Sequence, residues 1–284
     1  MNEQSFPSDE LLALYEPSTF QGLPYRMLKP IDLPDNPDKP YPLILSLHGA
    51  GGRGNDNIKN LRVWNENLAD ESLRRKYPCF VVVPHTDKRW IVPGTTPELT
   101  EELISTYPVA WQARARRQLE RGDDLNAGDL SKVFDLLDQL YKDYNIDQDR
   151  VYVLGHSMGG AGSWTTIHEQ PERFAAAIPT AGGFSAWQDI TRIVEVPIWS
   201  FHGNADNTVP VDLTRLAFQQ LKELNGNMKY TELNDVGHNA NLYAFAYTGD
   251  DAEKGFETHY ASDRCDHTSD VWDWLFAQNR KNRT

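Results

Sequence analysis

Five short apolar runs punctuate a largely polar chain: 42–48 (PLILSLH), 80–84 (FVVVP), 151–155 (VYVLG), 174–179 (FAAAIP) and 198–203 (IWSFHG), each ending in or beside Gly, His or Pro. Runs that are apolar throughout, not at alternate positions, fit strands buried on both faces of a sheet. Between them the spacing becomes helical: Leu130, Val133, Phe134, Leu136, Leu137 and Leu140 form one stripe, and Leu213, Leu216, Ala217, Leu221 and Leu224 another. Strands alternating with helices predict a doubly wound, mostly parallel α/β sheet with helices on both faces. Residues 25–28 predict an earlier edge strand, 228–233 a late strand and 271–277 a closing helix. Residues 90–124 break the rhythm, with Pro93, Pro97, Pro108, a charged run over 114–124 and scattered aromatics but no strand. They read as an insertion in a single domain spanning 1–284, either a lid over the site or a solvated helical decoration.

Composition narrows the partners. The 28 basic and 41 acidic side chains leave a net charge of −13, which repels phosphate backbones and anionic membrane surfaces and favours neutral small-molecule substrates over nucleic acid. The longest apolar runs, 80–83 and 174–178, fall far short of the roughly 20 residues that span a bilayer. Residues 1–10 have neither the basic nor the apolar region of a secretory signal, so the expected location is cytoplasmic, or secreted if a signal has been removed. Cys79 and Cys265 are expected to be unpaired thiols.

The chemistry concentrates where apolar runs end. Gly155-His156-Ser157-Met158-Gly159-Gly160 closes one run and opens a helix-compatible stretch. A nucleophilic serine must be lifted clear of the sheet on a tight turn, and small residues two before and two after let the backbone pass. Ser157 is thus the expected nucleophile. The helix that follows directs its first N–H groups at developing negative charge, so Met158 N–H is an expected oxyanion donor. A second donor belongs in the loop after the early strand, His48-Gly49-Ala50-Gly51-Gly52-Arg53-Gly54, at Ala50 with Gly51 behind it. Gly49, Gly51 and Gly54 also satisfy G-x-G-x-x-G, but a dinucleotide site wants an acidic residue after the next strand, where His85 stands.

A serine hydroxyl needs an imidazole to take its proton, and the imidazole needs a carboxylate to hold its tautomer. Asp206 follows the 198–203 run directly and is preferred to Asp212, whose place in the next helix's first turn suits dipole compensation. His238 lies in the loop after 228–233 and is the expected base; His259 and His267 read as surface or packing residues. His48 and His202, each ending a strand before Gly, are expected to orient loops. Asp263, Asp266 and His267 form a compact cluster without a matching metal-ligand motif, so no metal is expected.

The segments LHGAGGRGNDN, RVYVLGHSMGGAGSW, FHGNADNTVPV and GHNAN together resemble α/β-hydrolase serine esterases of the feruloyl-esterase-like, polyhydroxybutyrate-depolymerase-like and "predicted peptidase" group, over residues 25–276. That resemblance implies hydrolysis of small or aromatic carboxylic esters through an acyl-enzyme, with no cofactor, and a pocket role for Trp90. His156, beside the nucleophile, is expected either to touch substrate or to pack. Dienelactone hydrolases are also similar but carry cysteine where this chain has Ser157. Two other readings keep the fold: a peptidase or amidase using the same triad, and a catalytically silent binding protein.

Overall fold

The computed structural model describes residues 7–107, 109–122 and 124–283; Pro108 and most of the polar start lie outside the described residues. Nine strands form one sheet: β1 Glu16–Phe20, β2 Leu23–Leu28, β3 Tyr41–Leu47, β4 Phe80–Pro84, β5 Ile146–His156, β6 Ala176–Thr180, β7 Ile198–Gly203, β8 Met228–Leu233 and β9 Phe256–Tyr260, in the order β1-β2-β4-β3-β5-β6-β7-β8-β9. From β4 through β8 the pairings are parallel; β1, β2 and β9 join antiparallel.

The apolar runs are buried on both faces, and adjacent residues feed different cores. Leu43, Leu45, Phe80, Val82, Val151 and Val153 enter one, whereas Ile44, Val81, Val83, Tyr152 and Leu154 enter the other. The first core is covered by the Leu130–Asp143 and Asp212–Glu223 helices. The second is covered by the Val63–Ala69 and Val271–Ala277 helices. The strand order reverses at β3, which has β4 on one side and β5 on the other, and crevices at such switch points are where open α/β sheets bind ligands.

One expectation about the sheet edges fails: the strand at 25–28 is interior, because β1 pairs along its outer side. At the opposite edge β9, which carries His259, pairs with β8. Of the two strands not foreseen, EPSTF is mostly solvent-facing and FETHY only partly buried, so neither carries the continuous apolar run by which the central strands were recognised. Cys79 and Cys265 are buried free thiols. No helix among the described residues is long and apolar enough to cross a membrane.

The 90–124 excursion contains two helices, Glu101–Ser105 and Val109–Arg121. Its two stems are joined at the base: Arg89 N–H donates to Ala127 O (3.2 Å), and Leu130 N–H donates to Ile91 O (3.1 Å). Gly128 is required there, since a Cβ would sit 2.2 Å from Ile91 O. Asn126 ties the interior, its Oδ1 accepting from Gly94 and Thr96 N–H and its amide donating to Thr96 O.

Candidate active site

β5 ends at His156, and Ser157 turns the chain into the Met158–Glu169 helix with φ 58° and ψ −115°. That backbone is sparsely populated by non-glycine residues and costs on the order of 1–3 kcal/mol. It is held by Ser157 N–H donating to Thr180 O of the neighbouring strand (2.9 Å). Close approach explains the flanking glycines: a Cβ on Gly155 would meet Gly159 O at 2.5 Å, and one on Gly159 would meet Leu47 O at 1.9 Å. Helix and two strands therefore pack closely enough to lift the Ser157 hydroxyl above the sheet.

Three side chains from three loops meet at this point. Ser157 Oγ lies 2.8 Å from His238 Nε2, and His238 Nδ1 lies 2.7 Å from Asp206 Oδ2. The Asp206 side chain is fully buried, while its Oδ1 accepts the N–H groups of Thr208 (2.8 Å) and Val209 (2.9 Å). His202 Nε2 stands 3.3 Å from Asp206 Oδ2, with its Nδ1 on the Thr214 hydroxyl (2.8 Å). Burial alone would raise the Asp206 pKa, but the bonds from His202, His238, Val209 and Thr208 outweigh it and hold the carboxyl far below the usual carboxylate range. An ionised carboxylate on Nδ1 leaves Nε2 as the acceptor facing Ser157, the arrangement needed to take its proton.

The glycine loop after β3 abuts this corner, since a Cβ on Gly49 would lie 3.4 Å from Ser157 Cβ. Ala50–Gly52 forms a 3-10 turn in which Ala50 and Gly51 are exposed. Two buried histidines brace it from beneath. His48 bonds Gly49 O through Nδ1 (2.8 Å) and accepts Thr86 N–H at Nε2 (3.3 Å), while His85 bonds Gly52 O through Nε2 (2.9 Å) and accepts Asn57 N–H at Nδ1 (2.9 Å). Each ring donates on one side and accepts on the other, as only a neutral imidazole can. Desolvation favours that form, pushing the His48 pKa down to about 3 and that of His85 below its ordinary value.

A cavity of about 160 Å³ is lined by Met158, the residue after Ser157. Trp90, Tyr107, Trp111, Phe184 and Trp187 give it an aromatic wall. Trp90 is buried and locked by its indole N–H to His48 O (2.9 Å), and it lies against Gly162, where a Cβ would approach to 2.5 Å. The 90–124 excursion supplies one side of the cavity and residues 183–187 the other. His156 is not among the lining residues; its ring packs against His238 (4.9 Å between centroids) and Trp64 (6.2 Å), and burial pushes its pKa down to about 3.

The family model for phospholipases and carboxylesterases of the α/β-hydrolase type matches residues 79–245. The chain belongs to this family. A solved structure of a thermostable esterase is 30% identical with a TM-score of 0.70, covering 95% of this chain and 64% of that one. An uncharacterized secreted protein of Arthroderma benhamiae is 25% identical over 253 residues, 75% of this chain and 23% of that protein. A bifunctional acetylxylan esterase/xylanase of Neocallimastix patriciarum is 30% identical over 180 residues, 62% of this chain and 21% of that enzyme. The chain thus spans less than a quarter of the length of these two relatives. In this α/β-hydrolase Ser157 and the loops that carry Asp206 and His238 all lie at the C-terminal ends of parallel strands, where open α/β sheets bind ligands.

The remaining sequence candidates lie away from the reacting corner. Asp212 is exposed and paired with Arg215 (3.1 Å); His267 stacks on Tyr260 (4.2 Å between centroids), and Asp266 accepts the Thr268 N–H. Among the described residues no group of three His, Cys, Asp or Glu could hold a metal. Sequence reasoning missed His85 as a loop brace and the 184–187 wall. His85 had a usable signal, being a histidine at the end of an apolar strand like His48 and His202.

Proposed function

We propose that the chain is a serine carboxylic ester hydrolase. Ser157 attacks the ester carbonyl, His238 takes its proton and passes it to the leaving alcohol, and Asp206 holds the His238 tautomer and stabilises its charged form. The N–H groups of Met158 and Ala50, with Gly51 behind, stabilise the oxyanion, and water releases the acyl-enzyme. The observation that carries this reading is the His238 imidazole bridging Ser157 Oγ at 2.8 Å and Asp206 at 2.7 Å. Family membership favours esters over amides, and the intact constellation argues against a silent binding protein. The aromatic cavity beside Met158, with Trp90 in its wall, suits small or aromatic acyl groups of feruloyl type, and the 90–124 excursion acts as its lid.

The test is a p-nitrophenyl ester series from acetate to long acyl chains, with methyl ferulate and a matched anilide, on wild type and Ser157→Ala. Ester turnover lost in the variant is the expected result. Faster cleavage of the anilide would make the chain an amidase, and ester turnover that survives the substitution would remove Ser157 from the mechanism.

A further inference from the structure

The aromatic cavity has a neighbour across its far wall. A second cavity, of about 240 Å³, shares Ile91, Thr96, Thr165 and Trp187 with it. The Met158–Glu169 helix serves as a ruler along both. Met158, Ala161, Gly162 and Thr165 line the first chamber, whereas Thr165, His168 and Glu169 line the second. At 1.5 Å of rise per residue, Thr165 lies about 10 Å from Met158 along the axis and His168 about 15 Å.

Along that line the chemistry changes. The near chamber is walled by aromatic rings, and the far one by Thr95, His168, Glu169, Gln188 and Arg192 around the shared Thr165 and Trp187. These polar groups form an ordered set: the Thr165 hydroxyl donates to Ala161 O (3.1 Å) and accepts from Gln188 (3.4 Å), Gln188 Oε1 accepts Ser185 N–H (3.3 Å), His168 bonds Glu169 Oε1 through Nδ1 (3.1 Å) and accepts Asp189 N–H at Nε2 (3.2 Å), and Arg192 donates to Glu169 O (3.2 Å). One carboxylate and one guanidinium leave the chamber without net charge, so it offers an ionic group no advantage. Hydroxyl groups, which both donate and accept, suit the second Gln188 N–H and the remaining lone pairs of Thr165 and Gln188, and Trp187 is 37% exposed.

We infer that the two chambers are one channel for an elongated ester: a ring-bearing apolar portion next to the carbonyl, followed by a neutral hydroxylated portion lying against Thr165, His168, Trp187 and Gln188. This rests on the reading of Ser157 as the nucleophile and adds to it the length and polarity of the substrate. The far chamber discriminates by hydrogen bonds, which a tail of equal size without hydroxyls leaves unmade.

The experiment compares three methyl esters: 3-phenylpropanoate, its para 2,3-dihydroxypropyl ether and its para butyl ether. In wild type, kcat/KM for the dihydroxypropyl compound is expected to exceed that for the butyl compound about tenfold, mostly through KM, as two hydrogen bonds would give. Thr165→Val and Gln188→Leu should each reduce that preference to about twofold, and Thr165→Ser should restore it. If either variant fails to fold, the wild-type preference together with the other variant carries the test. Turnover of phenylpropanoate without any preference between the two ethers overturns the channel and leaves the Ser157 reading standing, as does a preference that survives both substitutions. Turnover of none of the three overturns the Ser157 reading and the channel with it.

Discussion

The corner that holds Ser157 and the excursion that roofs the cavity are built by different means. At the corner, each part of the proposed site is held by its neighbours: Ser157 by its bond to Thr180 O, Asp206 by two backbone N–H groups and two histidines, and the glycine loop by His48 and His85. The excursion rests on a cluster in which Ile104, Tyr107 and Ala115 are the buried members, on the Asn126 bonds and on a zipped base. One region is over-determined, so that strain at Ser157 can be maintained; the other has few buried contacts and correspondingly low local stability. In the proposed division the first carries the chemistry and the second selects the substrate.

The sharpest test of that division is Ser157→Ala. If the corner carries the chemistry, ester turnover should fall by about four orders of magnitude or more, with thermal unfolding little changed. Asp206→Asn should cost about 10³–10⁴-fold in kcat. It should also alter the acid side of the stability curve. The folded Asp206 pKa lies below its ordinary 3.8, so this carboxylate stabilises the fold above that value and its contribution is lost as pH falls through the folded pKa. Urea unfolding between pH 2 and 6 should show a shallower slope in the variant.

His85→Phe tests whether bracing the glycine loop matters to the reaction or only to folding. Loss of the Gly52 and Asn57 bonds should lower kcat about 10- to 100-fold with KM nearly constant, and His85→Gln, which can donate and accept, should recover part of it. An equal fall for every probe, including unfolding temperature, would make the role purely structural.

For the roof, Trp111→Ala should raise KM for esters with an aromatic acyl group, such as methyl ferulate, about tenfold and leave p-nitrophenyl acetate nearly unaffected, in steady-state kinetics on both substrates. A uniform loss would join roof and corner into one unit and break the comparison.

The smallest effect separates stability from chemistry. Lys229 is buried with its ammonium 3.5 Å from the Trp199 ring centroid and donating to Thr268 O (2.6 Å), and desolvation lowers its pKa to about 8. Between that value and 10.5 the folded chain binds fewer protons than the unfolded one, so stability should rise with pH there, by at most about 1.4 kcal/mol per unit. Lys229→Met should remove this slope without changing the pH profile of ester turnover.

Much of this architecture could be read from local pattern. A buried parallel strand must be apolar at successive positions, and a tight strand-to-helix turn must be flanked by glycines, so β3 to β8, the closing helix and the Ser157 turn carry signatures within a few residues of themselves. Asp206 and His238 followed from chain order and from lying just past strands, though the 2.7 and 2.8 Å distances that join them to Ser157 depend on loops from β7 and β8 converging.

Other features had no local signature. The half-exposed strands β1 and β9 exist because neighbours offer them hydrogen-bonding edges, not because their side chains repel water. The pairing of His85 with Gly52, the packing of His156 on His238 instead of the cavity wall, and the meeting of Tyr107 and Trp111 with residues 184–187 all join segments distant in sequence. Burial and turn chemistry act on neighbouring residues and leave their mark in the order of amino acids. The shape of a cavity is a property of surfaces brought together by the whole sheet, and only the folded chain sets it.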